Sequence, residues 1–237
     1  MDDAPDGPEL PKPIAPEQPQ QLPRITGAFI LSELAGVLNL ERGVFFTIKA
    51  VLLRPGASVR RFLYEDRGRM TKPASLLVVC SLVYILAQRL LGFDDGYLNY
   101  AALDWGSSAT AAIMDWISDN YGLVNILLAN AIALCTKGLF RQSRYNLFEV
   151  CVLLYYAMGI QMLMLTLLGI VERITGVGVF DVGINFAILY VCWAIGQFFD
   201  ERKKRNYLKA LLGYVLGLVL ILLVAVVLGV AADVVVE

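Results

Sequence analysis

Histidine is missing altogether from the 237 residues. With it go the commonest general base and a favoured metal ligand, so His-based triads, zinc hydrolase sites and imidazole haem ligation are excluded. Cysteine is scarce. Cys80, Cys135, Cys151 and Cys192 all fall inside apolar runs, and no two have the C-x-x-C spacing of zinc or thioredoxin-type sites. They read as small apolar packing residues. A charge excess of one sign is lacking too. Twenty basic and 21 acidic residues leave a formal net charge of −1, whereas phosphate backbones demand a basic surplus. No nucleic-acid partner is expected.

Apolar residues are what the chain has in abundance. They make up 58% of it, against about 45–50% in a soluble domain. Several uninterrupted runs reach the roughly 20 residues that a bilayer core requires. Five spans are expected, at about 74–93, 121–139, 147–171, 177–199 and 208–230. The fold class is therefore an all-α integral membrane protein with five transmembrane helices, preceded by short amphipathic cytoplasmic helices.

Charge is segregated along the chain. Residues 25–73 carry eight basic residues, the loop after span two has Lys137, Arg141 and Arg144, and the segment after span four has five, from Arg202 to Lys209. The three alternate segments contribute only Arg89 and Arg173 near their edges. Basic residues favour the cytoplasmic side of short loops. The expected orientation is N-terminus in, C-terminus out.

Three regions follow. Residues 1–24 hold seven of the nine prolines and five acidic residues, a composition expected to remain a disordered or polyproline-like tail. Residues 25–73 read as short helices: one over 25–40 with Phe29, Ile30, Leu34, Val37 and Leu38 on a stripe, one over 43–54, and one starting at Pro55. That last helix mixes Arg60 and Arg61 with Phe62 and Leu63. Two arrangements stay open for it, in the headgroup plane or packed on the spans. Residues 74–237 form the membrane domain. Its loop 94–120 carries five aspartates and no basic residue. Within that loop Leu103, Trp105, Ile113, Trp116 and Ile117 suggest an interfacial helix.

Polar residues inside spans are costly and hence candidate sites. They are Asn125, Asn130, Glu149, Gln161, Asn185 and Gln197. Glu149 could bind a cation or relay a proton, or could pair with Arg144 or Arg141 at the interface. The amides read as interhelical hydrogen-bonding groups, worth about 0.6 kcal/mol each. Glu172, Arg173 and Asp181 suggest a local salt bridge at the outer boundary. Partner or lipid binding is assigned to Arg54, Pro55, Gly56, Arg60, Arg61, Arg67, Arg69 and Lys72. Together with Arg202–Arg205 these could hold anionic headgroups at about 1 kcal/mol per residue.

Three stretches resemble a bacterial inner-membrane family known only as a domain of unknown function. They are the Thr47–Leu77 run around L-L-R-P-G-A-S-V-R-R, the R-Y-N-L-F-E-V start at Arg144, and Y-V-C-W-A-I-G-Q-F-F-D-E-R-K-K-R-N-Y ending at Tyr207. The resemblance covers about residues 40–225, and its most specific part is the Arg-Pro-Gly block. Many members of that family open with a Cys-rich, zinc-ribbon-like module, where this chain has its proline-rich tail. The resemblance implies a bacterial inner-membrane location and supplies no activity.

The first expectation is a non-enzymatic subunit or scaffold, with no catalytic residue, metal site or cofactor. Its partners would be the lipid bilayer and other membrane proteins or a second copy. The alternative is a small transporter or lipid-handling component acting as an oligomer, which requires Asn125, Asn130, Glu149 and Gln161 to converge on a wet cavity. An enzyme acting on a lipid-linked substrate would need an aspartate–metal cluster in 94–119. The spacing from Asp94 lacks the regular alternation of oxygen ligands that an ion-binding loop uses.

Overall fold

The computed structural model describes residues 43–92 and 108–236. The proline-rich tail, the helix expected at 25–40 and the loop 93–107, with Asp94, Leu103 and Trp105, lie outside the described residues. Among the described residues the regular structure is helical throughout: α1 (Val44–Leu53), α2 (Pro55–Tyr64), α3 (Pro73–Leu91), α4 (Ala109–Asp119), α5 (Tyr121–Leu139), α6 (Leu147–Thr175), α7 (Phe180–Asp200) and α8 (Lys204–Val236). Five of these, α3 and α5 to α8, are long and apolar enough to cross a membrane, the number expected from the apolar runs.

Local chemistry sets most helix ends. Pro55 and Pro73 stand at the first positions of α2 and α3, where a missing N–H costs nothing. Asn146 and Glu149 form a reciprocal capping box at the start of α6. Gly92 and Gly176 end α3 and α6 in the left-handed conformation that glycine adopts without a Cβ penalty. The helix that holds the span expected at 147–171 is longer than that span. The helix runs on through Glu172 and Arg173 to Thr175, and its 29 residues reach about 43 Å at 1.5 Å per residue. Likewise α8 starts at Lys204, ahead of the apolar run, because basic side chains can snorkel out of a helix end.

The central element is α6. It packs against α1, α2, α3, α5 and α7, and its residues from Glu149 to Met162 are buried without a break. A helix apolar on all sides is stable only when covered on all sides. By contrast α8 lies at the edge, against α4, α5 and α7, and turns Leu208, Val219 and Val227 outward. Leu82, Leu86 and Leu90 of α3 do the same. Such apolar outer faces suit hydrocarbon and would be costly in water.

The edge helix is held by glycine. Gly213 and Gly217, four residues apart, face α5, and a Cβ on Gly217 would lie 2.8 Å from the Cα of Ile132. Small residues at this spacing let helix backbones approach closely. Further along α8, Asp233 accepts a hydrogen bond from the Ala109 N–H at 2.6 Å, so the end of the last helix caps the start of α4. That short helix is the described part of the expected interfacial element. It buries Met114 and Ile117 and leaves Trp116 52% exposed.

The packing predicts an asymmetry between two glycines. Gly217→Ala should destabilise the detergent-solubilised protein by about 1–3 kcal/mol, the usual cost of overpacking. Gly138→Ala meets no atom within 4 Å and should leave the thermal midpoint unchanged or raised. Equal midpoints for the two variants would contradict the close approach of α8 to α5.

Candidate functional site at the basic end of the bundle

The α1–α2 pair, the turn before α6 and the turn before α8 gather at one end of the bundle. The expected helix breaks hold, and of the two arrangements left open for α2 the structure shows it packed on the spans. It lies against α6 and α7, burying Val59, Phe62 and Leu63. Phe62 meets Tyr156 edge to face, with ring centroids 5.5 Å apart.

Each part of the Arg-Pro-Gly block has a packing role. The carbonyls ending α1 have no helical partner of their own. Ala50 O accepts from the Arg54 N–H at 3.0 Å and from Ser58 Oγ at 2.8 Å. Val51 O accepts from the Tyr190 hydroxyl at 3.1 Å. Pro55 opens α2. Gly56 then lies so close to α7 that a Cβ would sit 2.5 Å from the carbonyl carbon of Gln197. One turn on, Arg60 Nη1 donates to Gln197 O at 2.6 Å and to Phe198 O at 3.1 Å. Its guanidinium satisfies carbonyls in the last turn of α7 and complements the negative end of that helix.

The segment leading to α3 is tied down as well. Thr47 Oγ1 accepts from the Thr71 N–H at 2.8 Å, while Thr71 O accepts from the Tyr156 hydroxyl at 2.6 Å. Arg67 reaches back to Leu63 O at 3.1 Å, and Lys72, half-buried, precedes α3. The remaining arginines point outward. Arg54 is exposed. Arg61 lies 3.4 Å from Glu65, with both side chains more than half exposed, an ion pair worth little. The guanidinium of Arg69 stands 4.5 Å above the Phe46 ring. The eight residues assigned to binding thus divide: Pro55, Gly56 and Arg60 seat α2 against its neighbours, Arg67 and Lys72 are half-buried in the segment leading to α3, and Arg54, Arg61 and Arg69 face out.

Glu149 is buried, and Arg144, one of the two arginines expected as its partner, interacts with it electrostatically. One carboxylate oxygen accepts from the Asn146 N–H at 2.7 Å and the other from the Tyr64 hydroxyl at 3.4 Å. Arg144 enters the same cluster over the rings of Tyr64 and Tyr145, at 5.7 and 5.2 Å. Partial burial, with the Glu149 charge adding to it, pushes the Tyr64 phenol up to about 12. This hydroxyl stays a donor across the physiological range.

The other intramembrane polar residues are not brought together. Asn130 accepts from the Tyr155 hydroxyl at 2.8 Å and donates to Ile126 O. Gln161 donates to the Tyr214 hydroxyl at 3.2 Å. Gln197 takes part through its backbone carbonyl, and Asn185 is on an exposed stretch of α7. Asn125 alone among these is fully buried with both amide atoms unpartnered among the described residues. At the opposite end Glu172 accepts from the Phe180 N–H at 2.7 Å, so it caps α7; the side chain of Asp181 lies outside the described residues.

Sequence reasoning missed the tyrosines. Tyr64, Tyr155, Tyr156, Tyr190 and Tyr214 each carry a hydroxyl to a polar group on another element. It also missed the aromatic floor at this end, where Phe140 stacks on Phe199 at 3.9 Å. The available signal was the number of tyrosines inside apolar runs, since a buried phenol needs a partner.

Removing the α7 cap should be costly. Arg60→Ala is expected to lower stability by about 1–3 kcal/mol, the penalty for buried polar groups left unsatisfied, and to open the α1–α2 pair to protease. Arg61→Ala should stay within about 0.5 kcal/mol of the parent. A thermal melt in which Arg60→Ala matched Arg61→Ala would contradict the capping role.

One family, described as a protein of unknown function (DUF3667), matches residues 41–85. No curated protein and no solved structure matches the chain. The matched stretch holds α1, α2, the tied segment through Thr71 and the first part of α3. The chain is thus similar to that uncharacterised family across the block that seats α2 on α6 and α7.

Proposed function

We propose that the protein is a non-enzymatic subunit or scaffold of the bacterial inner membrane, and that its basic end receives protein partners or lipid headgroups. In this reading the N-terminus is cytoplasmic and the C-terminus periplasmic. The observation that supports it is the surface left outward once α2 is seated. Arg54, Arg61 and Arg69 are exposed there beside Phe45, Leu52 and Leu53, which are also exposed. Large apolar side chains among cations on an otherwise packed element mark a contact surface. The basic turns at the same end favour the cytoplasmic side.

The transporter reading draws on Asn125, a buried amide without a partner among the described residues. It also needs a wet path, and Asn130, Glu149 and Gln161 are engaged in three separate contacts. Nothing in the geometry favours it over the scaffold.

Two experiments test the proposal. Alkaline phosphatase fused after Val236 should be active, and fused after Gln142 or Arg202 inactive. The reverse pattern would overturn the orientation. Gentle purification from native membranes should recover a stoichiometric protein partner or retained anionic lipid. Arg54→Glu with Arg61→Glu should lose it without lowering the thermal midpoint. Recovery unchanged by this double substitution would remove the α1–α2 face as the contact surface.

A further inference from the structure

A cleft of about 680 Å³ opens at the basic end, between the turn that precedes α6 and the turn that precedes α8. We propose that it seats the phosphate of an anionic phospholipid whose acyl chains lie along α8. The assignment rests on the reading of the basic end as a contact surface for headgroups or partners, and gives it one defined ligand class.

The charge around the cleft is not balanced from within. Arg141, Lys203, Arg205 and Lys209 line it, against one carboxylate, Asp200. That carboxylate is already committed, to the Lys203 ammonium at 3.1 Å and the Arg202 N–H at 3.1 Å. Arg141 and Arg205 are exposed and have no partner among the described residues. Lys209 is held over the Phe140 ring at 5.3 Å, with Leu139 O at 3.4 Å. Its ammonium is thereby fixed near the cleft without a carboxylate. Three uncompensated cations around one concavity suit a phosphate group, which guanidinium donors match in geometry.

Helix α8 adds to the demand. Its positive end carries Lys204 and Arg205, and its first turn contains no acidic residue. Cations at a helix N-terminus are unfavourable against the macrodipole, and an anion there relieves them.

The helix face that leads away from the cleft at Arg205 points to a lipid as the source of the anion. On α8 the residues Arg205, Leu208, Leu212, Val215 and Val219 follow one another at three- and four-residue steps, and all are exposed. They form one stripe on the helix surface. An apolar track that begins at a cation is what a headgroup with its chains would cover. A water-soluble phosphate ester would leave the track unused. Basic pockets of this kind between transmembrane helices take multiply charged lipid headgroups.

The test uses the full chain in nanodiscs of phosphatidylcholine with one-tenth cardiolipin, read by native mass spectrometry. The parent protein should carry bound cardiolipin after release. Arg141→Gln with Arg205→Gln should weaken binding about thirtyfold, the change that two residues at about 1 kcal/mol each produce. Arg202→Gln with Lys204→Gln removes the same charge from residues that do not line the cleft, and should retain the lipid. Equal loss in both double variants would overturn the cleft while leaving a generally lipid-attracting basic end. No enrichment of cardiolipin over phosphatidylcholine on the parent would overturn the cleft and headgroup binding together. Competition by millimolar glycerol phosphate as effective as by lipid would assign the site to a soluble phosphate and overturn the lipid. All four substituted side chains are exposed, so thermal midpoints should match the parent's. If the Arg141 and Arg205 variant melts early, retention by the parent as salt is raised from 0.1 to 0.5 M gives the second readout. Retention insensitive to salt would also sink the proposal.

Discussion

A helix that ends inside a bundle leaves carbonyls that water does not reach, and away from water each must be answered by protein. Two helices here end with carbonyls answered from another element, and the Arg-Pro-Gly block contributes to both. The last turn of α1 is satisfied by Ser58 and Tyr190, and the last turn of α7 by Arg60. Gly56 makes the second possible, because only a residue without Cβ lets α2 come close enough to α7 for the arginine to reach. The seating of α1 and α2, and so the shape of the whole basic end, depends on this exchange.

The same exchange explains why the arginines of this block cannot be treated alike. Orientation by positive charge requires only that cations sit on one side, and any position would serve. Arg60 is instead fixed by two carbonyls, and Arg67 by one. Arg54 and Arg61 make no comparable contact. Within one basic segment the arginines thus divide between packing and an outward face, according to which way each position points.

Legibility from sequence followed the range of the interactions. The spans were readable because a bilayer fixes both length and composition. The breaks at Pro55 and Pro73 were readable because proline acts on the helix start that it occupies. Arg60 and Gln197 are 137 positions apart, and no local pattern announces that pairing. Glu149 shows the intermediate case. Its charge marked it correctly as exceptional, yet its partners, an amide three residues back and Tyr64, could not be chosen over nearby arginines. The glycines of α8 were visible as a pair at four-residue spacing. Whether such a pair serves a second chain or the same one is settled only by what lies opposite, here Ile132 and Thr136.

The enclosure of α6 bears on where function can reside. Its buried stretch from Glu149 to Met162 is surrounded by five helices, and most of its polar groups go to Tyr64, Asn130, Tyr214 and the chain before α3. A conducting path along it would have to break these contacts. The two ends and the outer faces carry no such obligation. At the basic end, cations outnumber the groups that answer them, and on α8 the outward apolar stripe starts from one of those cations. Charges that the protein leaves unanswered are ones a ligand can complete, and Arg141, Arg205 and Lys209 gather such charge where α8 begins.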